Sequence, residues 1–230
     1  MKECLSVVIP CFNEENTIAE IISRVLDQEC VQEILVIDDA STDSSMEVIR
    51  KIQNPKVKLF LNSRNLGKGA SVKKGFDNAT SKYVLIQDAD LEYSPEEYRR
   101  LLAPLESGHA DAVFGSRFLS HESRRALYFW HSMGNRILTN LSNAFSNLYL
   151  TDMETCYKVI RADFAKRIQL KENRFGIEPE ITAKLAKMNA RIYEVGISYH
   201  GRTYEEGKKI TWKDGVSAVR CILKYNLSRN

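Results

Sequence analysis

Ile34-Leu35-Val36-Ile37-Asp38-Asp39-Ala40-Ser41-Thr42-Asp43 runs from four apolar residues straight into paired carboxylates. The apolar part reads as a buried central strand. The acidic part reads as the loop at its C-terminal end, where open α/β sheets bind ligands. Adjacent like charges are costly to bury unless donors or a ligand satisfy them. Ser41 or Asp43 is accounted for as the cap of a following helix, but capping does not explain Asp38 and Asp39 together.

Working outward, strands of similar composition are expected at 5–9, 57–61, 83–86 and 112–114. Ile18, Ile21, Ile22, Val25 and Leu26 recur at helical spacing between the first two strands. Ser94-Pro95-Glu96-Glu97 supplies an N-cap, a proline at the first helical position and a capping-box glutamate ahead of Tyr98, Leu101 and Leu102. Strands alternating with helices imply βαβ units, so the fold class is α/β with a mainly parallel sheet flanked by helices.

After Phe118 the pattern changes. Leu127, Trp130, Ile137, Leu138, Leu141, Phe145 and Leu148 mark one or two amphipathic helices, with Arg124, Arg125, His131 and Arg136 among them. Spacing alone fits a core-packing pair with a solvated basic face as well as a functional half. A helix is expected over 178–188, a strand over 190–199 and a polar loop over 201–209. Val216, Val219, Leu223 and Leu227 then form a helical stripe near Lys213, Arg220 and Lys224.

The chain has 230 residues, 43% hydrophobic and 27% charged, which fits one globular domain and sets disorder aside. Thirty-three basic against thirty acidic residues give a formal charge of +3, too small to argue for nucleic acid. Cys4, Cys11, Cys30, Cys156 and Cys221 are scattered, odd in number and without a C-x-x-C pair. That argues against a disulfide framework and a structural zinc site, and predicts a reducing cytoplasmic compartment. The opening Met1-Lys2-Glu3-Cys4 leads directly into an apolar run, so no signal peptide is expected. No stretch approaches the ~18 consecutive apolar residues of a spanning helix.

Two common phosphate-binding devices are missing. The first strand runs into Pro10-Cys11-Phe12-Asn13-Glu14-Glu15 with no glycine-rich turn, and Gly67-Lys68-Gly69 lacks the upstream glycine and following Ser/Thr of a P-loop. The fourth strand ends in Gln87-Asp88-Ala89-Asp90-Leu91-Glu92, whose carboxylates at i, i+2 and i+4 can converge on one hard cation. An acidic turn entering the next helix is the plainer reading of that run.

These segments, with 65–69, 115–117, 152–158 and 201–209, resemble the family 2 glycosyltransferases of GT-A fold. Within them, the chain is similar to dolichol-phosphate mannose synthases and bacterial polyprenyl-phosphate glycosyltransferases. The resemblance implies one GT-A domain over 1–230, with a nucleotide-sugar-binding half at 1–118 and an acceptor-binding helical half at 119–230. It implies that Pro10, Asn13, Glu14, Asp39 and the Asp88 region hold the donor's base and ribose, with Lys68 near the donor. Asp88, Asp90 and Glu92 would hold Mg²⁺ or Mn²⁺, and Arg117 and Arg202 would lie where donor and acceptor phosphates meet. Arginine suits that place because its planar fork pairs with phosphate oxygens.

The expected reaction is inverting transfer of a hexose from a nucleotide diphosphate sugar, of the GDP-mannose or UDP-glucose type, to polyprenyl or dolichyl phosphate. The enzyme would meet its lipid at the cytoplasmic face as a peripheral protein, through the basic segments 124–149 and 213–227. A separate membrane partner or a homodimer also fits. Many relatives have a small residue and glycine near Thr155-Cys156, and this chain does not. A soluble enzyme acting on a sugar hydroxyl, with Asp152 or Glu154 as base, therefore stays open. So do a nucleotidyltransferase and a non-catalytic module.

Overall fold

The computed structural model describes residues 3–119, 125, 128–202 and 212–228. Arg124, Leu127 and 203–209 lie outside the described residues, as does the side chain of Lys213. Seven strands form one sheet: β1 Leu5–Cys11, β2 Val31–Asp38, β3 Val57–Leu61, β4 Tyr83–Ile86, β5 Ala112–Ser116, β6 Lys158–Arg161 and β7 Ile192–Gly196, in the order β3-β2-β1-β4-β6-β5-β7. β1 to β4 are mutually parallel where they pair, and β7 is parallel to β5. β6 runs antiparallel to both β4 and β5. Strands from both sides of residue 118 thus share one sheet.

The expected strands appear where the apolar runs predict them, because β1 and β2 are covered on both faces. Leu5, Val7, Val8 and Ile9 have no exposed surface, nor do Ile34 to Ile37. The helices are α1 Ile18–Leu26, α2 Ser45–Arg50, α3 Lys68–Asn78, α4 Tyr98–Glu106, α5 Phe129–Ser146, α6 Ala162–Arg167, α7 Ile177–Lys187 and α8 Trp212–Leu227. Asn147 closes α5 in the left-handed conformation, at φ 55°, which asparagine tolerates.

Two expectations are corrected. Pro95–Glu97 is a 3-10 turn leading into α4, and Ser94 makes no side-chain cap bond, so the capping box does not form. Glu97 accepts the backbone N–H of Ser198 at 2.9 Å instead, which ties the start of α4 to the segment after β7. The strand expected over 190–199 is confined to Ile192–Gly196. Of the one or two helices expected near 127–148, the described residues form one, α5.

Candidate functional site

The loops after β1 and β2 are built as one piece. Asn13 and Ala40 adopt positive φ, 54° and 60°, and turn their loops toward each other. Asn13 Oδ1 accepts the N–H of Thr42 at 2.8 Å, while Ser41 Oγ accepts the N–H of Asn13 at 3.0 Å. Asp43 accepts from Ser45 N–H at 2.9 Å and from Glu15 N–H at 3.1 Å, but the N-cap of α2 is Ser44, so neither Ser41 nor Asp43 takes the expected cap position. Asn13 is therefore half-buried between two loops, beside Pro10 at the end of β1.

Asp39 is almost fully buried and explains why the pair at the end of β2 exists. Its carboxylate accepts from Leu66 N–H at 2.9 Å, Gly67 N–H at 2.7 Å and Asn62 Nδ2 at 2.8 Å. Three donors offset the cost of burying its charge. Asp39 thus shapes the loop that launches α3. Gly67 stands there at φ +99°, a conformation that side chains rarely adopt. Among the described residues, Asp38 beside it accepts the N–H of Ser41 at 3.2 Å, and its Oδ1 is buried without a partner.

The end of β4 faces this loop. Lys68 Nζ lies 2.8 Å from Asp88 Oδ1 and 3.1 Å from Glu178 Oε1. Burial alone would lower the Lys68 pKa, but Asp88 and Glu178 outweigh it and hold the ammonium charged. Burial likewise raises the Asp88 pKa, and Lys68 more than reverses that. Asp90 is set differently. Arg202 Nη2 sits 2.6 Å from Asp90 Oδ2, with Glu92 at 3.5 Å and Glu14 at 3.6 Å from other guanidinium nitrogens. Burial, followed by the charges of Asp88 and Glu92, pushes the Asp90 carboxyl up to about 7 despite Arg202.

Asp88 and Asp90 fit a divalent cation in donor type, since both offer hard carboxylate oxygens. The negative surplus around Asp90 is what such a cation would neutralise. Glu92, expected as a third ligand, is turned elsewhere. It accepts from Tyr199 Oη at 2.9 Å and Arg202 N–H at 2.8 Å, clasping 199–202 against the site. Among the described residues no group of three His, Cys, Asp or Glu side chains is gathered to hold a metal. A bound cation would need further oxygens from elsewhere.

Arg117 and Asp152 form a second, drier unit. Arg117 Nε and Nη2 reach the two Asp152 oxygens at 2.6 and 2.7 Å, and Asp152, with no exposed surface, also accepts from Asn135 Nδ2 at 2.9 Å. Burial would raise the Asp152 pKa, but the guanidinium lowers it, which makes Asp152 a poor proton acceptor. Glu154 has the opposite setting. Burial and the nearby Glu178 push it up to about 8, and its Oε1 is buried without a partner. In the sequence Glu178 opens the helix expected over 178–188, and Lys158 follows an ordinary apolar-polar run. Lys158 is fully buried and donates to the carbonyls of Met153 and Thr155. No local signal marks either residue, because only the sheet topology brings 154–158 and 178 to Lys68.

An uncharacterized protein of Methanocaldococcus jannaschii is 29% identical, covering 95% of this chain and 97% of that protein. A dodecaprenyl-phosphate galacturonate synthase of Rhizobium johnstonii is 25% identical over 89% of this chain, which spans only 61% of the synthase. Among solved structures, glucosyl-3-phosphoglycerate synthase from Mycobacterium tuberculosis, in complex with Mn²⁺, UDP and glucosyl-3-phosphoglycerate, superposes with a TM-score of 0.74. It covers 99% of this chain and 81% of that one at 17% identity, a likeness of fold alone. The α/β architecture is the GT-A fold. The model of "Glycosyl transferase family 2" matches residues 6–168, well over half the chain, and the chain belongs to that family.

Proposed function

We propose that the chain transfers a hexose from a nucleotide diphosphate sugar to a polyprenyl phosphate, with Mg²⁺ or Mn²⁺ as cofactor. The observation that carries this reading is the convergence of Lys68, Asp88, Asp90 and Arg202 at the end of β4, beside the loop that Asp39 builds. Asp88 and Asp90 would hold the cation, which, when bound, stabilises charge on the departing diphosphate. Lys68, held charged at the same edge, would meet the donor. Arg202, now paired with Asp90, offers an always-charged fork that would pair with phosphate oxygens. The name of the Rhizobium relative supports a lipid-phosphate acceptor. A phosphate monoester, with a second pKa of about 6, needs no strong base, so the low basicity of Asp152 is no obstacle.

Exposed apolar side chains support a lipid surface as the place of work: Phe129, Trp130 and Ile137 on α5, and Val216 and Leu227 on α8. No helix of the described residues is long and apolar enough to cross a membrane. A hydroxyl acceptor is the second reading, favoured by Glu154, whose pKa near 8 suits a general base. Incubation with GDP-mannose and UDP-glucose, with and without polyprenyl phosphate and Mn²⁺, tests both. Lipid-dependent release of nucleoside diphosphate is expected. In a parallel incubation of nucleoside triphosphate with sugar 1-phosphate, release of pyrophosphate would point to a nucleotidyltransferase, and transfer from the nucleotide sugars only to sugar hydroxyls would favour the second reading.

A further inference from the structure

Lys68 is held from two sides, and only one of them belongs to the β4 edge. Glu178, in the first turn of α7, brings Oε1 to 3.1 Å from the Lys68 ammonium, while its Oε2 is buried without a partner. The backbone ahead of α7 is pressed against the same loop. Asn173 O accepts the N–H of Ala70 at 3.1 Å, and a Cβ at Gly69 would overlap the carbonyl oxygen of Glu172. That segment is fixed in turn. Glu180 accepts the N–H groups of Lys171 and Glu172 at 2.8 and 2.7 Å, and Glu172 is bound by Arg220, Lys224 and Tyr225 of α8. Glu178 therefore approaches Lys68 from a rigid support.

We propose that Glu178 is a positioning residue of the donor site, acting through Lys68. The inference rests on the reading of the β4 edge as a nucleotide-sugar site. An ammonium has three N–H bonds, and Asp88 and Glu178 take two of them. The third is left for an oxygen of the donor. The carboxylate of Glu178 also decides how much of Asp88 remains available. Shared between two anions, Lys68 leaves the trio with one net negative charge. With Glu178 neutral, the ammonium would settle on Asp88 alone and cancel the charge that a cation or a ribose hydroxyl needs. Lys158, the other buried lysine nearby, donates to the Met153 and Thr155 carbonyls and feels Glu178 through its charge.

A double-mutant cycle on the full chain tests this, with Glu178→Gln, Lys68→Gln and the double variant assayed on GDP-mannose and UDP-glucose. Where a variant turns over too slowly, the Kd of UDP with Mn²⁺ is read by calorimetry. Glu178→Gln is expected to raise donor KM about tenfold with kcat within about threefold, and to change it less than about twofold once Lys68 is gone. An equal KM increase in both backgrounds, or no increase in the native one, overturns the inference. If Glu178→Gln does not fold, Glu178→Asp replaces it under the same criterion, since it withdraws the carboxylate by one methylene. A native protein that releases no nucleoside diphosphate from any nucleotide sugar sinks the functional reading and this inference with it. A working native enzyme whose KM ignores Glu178 sinks the inference alone.

Discussion

A lysine put in place of Arg117 keeps the charge and the backbone N–H to Asp152 but presents one ammonium where the carboxylate now receives both Nε and Nη2. A fully buried carboxylate left short of a donor costs about 1–3 kcal/mol, so Arg117→Lys should lower the melting temperature measurably. Arg202 is in a different position. It is nearly a quarter exposed and spread over Asp90, Glu92 and Glu14. Arg202→Lys should therefore melt close to the native protein while its turnover on polyprenyl phosphate falls about tenfold. Melting curves and rates per folded molecule separate the two arginines, and equal destabilisation would make Arg202 architectural. Glu33 gives the pH-dependent counterpart. Burial raises its pKa, but Lys58, Ser6 and Thr80 reverse this and bring it down to about 2. A depressed carboxylate contributes stability above its unfolded pKa, which is lost as pH falls from about 4.5 toward 2. With Lys58 half exposed and screened, the contribution is about 2 kcal/mol. Glu33→Gln should lose it at neutral pH and show a flatter decline on acid titration by denaturant melts.

Helix α3 turns on its glycines. A Cβ at Gly75 would overlap Val8 Cγ1 of β1, so α3 lies against the sheet closer than any side chain allows. Gly75→Ala should cost about 1–3 kcal/mol by forcing that contact apart. Gly134, in the middle of α5, meets nothing within 4 Å, and Gly134→Ala should stabilise by about 0.5–1 kcal/mol. Paired urea titrations check the opposite signs. The same glycines explain why α3 could not be read from its sequence. Its buried face is Gly69, Ser71, Val72, Gly75 and Phe76, which carries little apolar periodicity. β6 was hidden for another reason, because a four-residue strand beginning with a buried lysine and inserted antiparallel breaks the strand–helix alternation. By contrast β1, β2 and β4 were legible, since continuous apolar runs bounded by carboxylates have few other uses. Asp88, Asp90 and Arg202 were legible through motif resemblance. Glu178 was not, because it lies 110 residues after Lys68 and meets it only through the fold.

Across the whole molecule, the proposed attachment to a lipid surface would draw unequally on charge and on apolar surface. Basic residues beside the helical stripes suggest electrostatic attachment, each worth about 1 kcal/mol near an anionic surface. The structure reassigns two of them, since Arg220 and Lys224 both pair with Glu172 at 2.6 and 2.8 Å. Arg125 donates to the carbonyl of Gly201 at 3.1 Å. What stands out toward solvent is apolar: Trp130 is 79% exposed, Phe129 63% and Leu227 65%. Burying such a side chain fully contributes about 1.5–3 kcal/mol, a term that salt does not screen. Flotation with phosphatidylglycerol vesicles should therefore show association that survives a rise from low to high salt. The Phe129→Ser, Trp130→Ser double variant should lose most of it while melting like the native protein, because neither side chain is buried. Association that vanishes in salt but ignores the double variant would return the role to the basic residues. If the native protein fails to float and instead doubles its mass in solution through the same two aromatics, that face joins two copies of the chain.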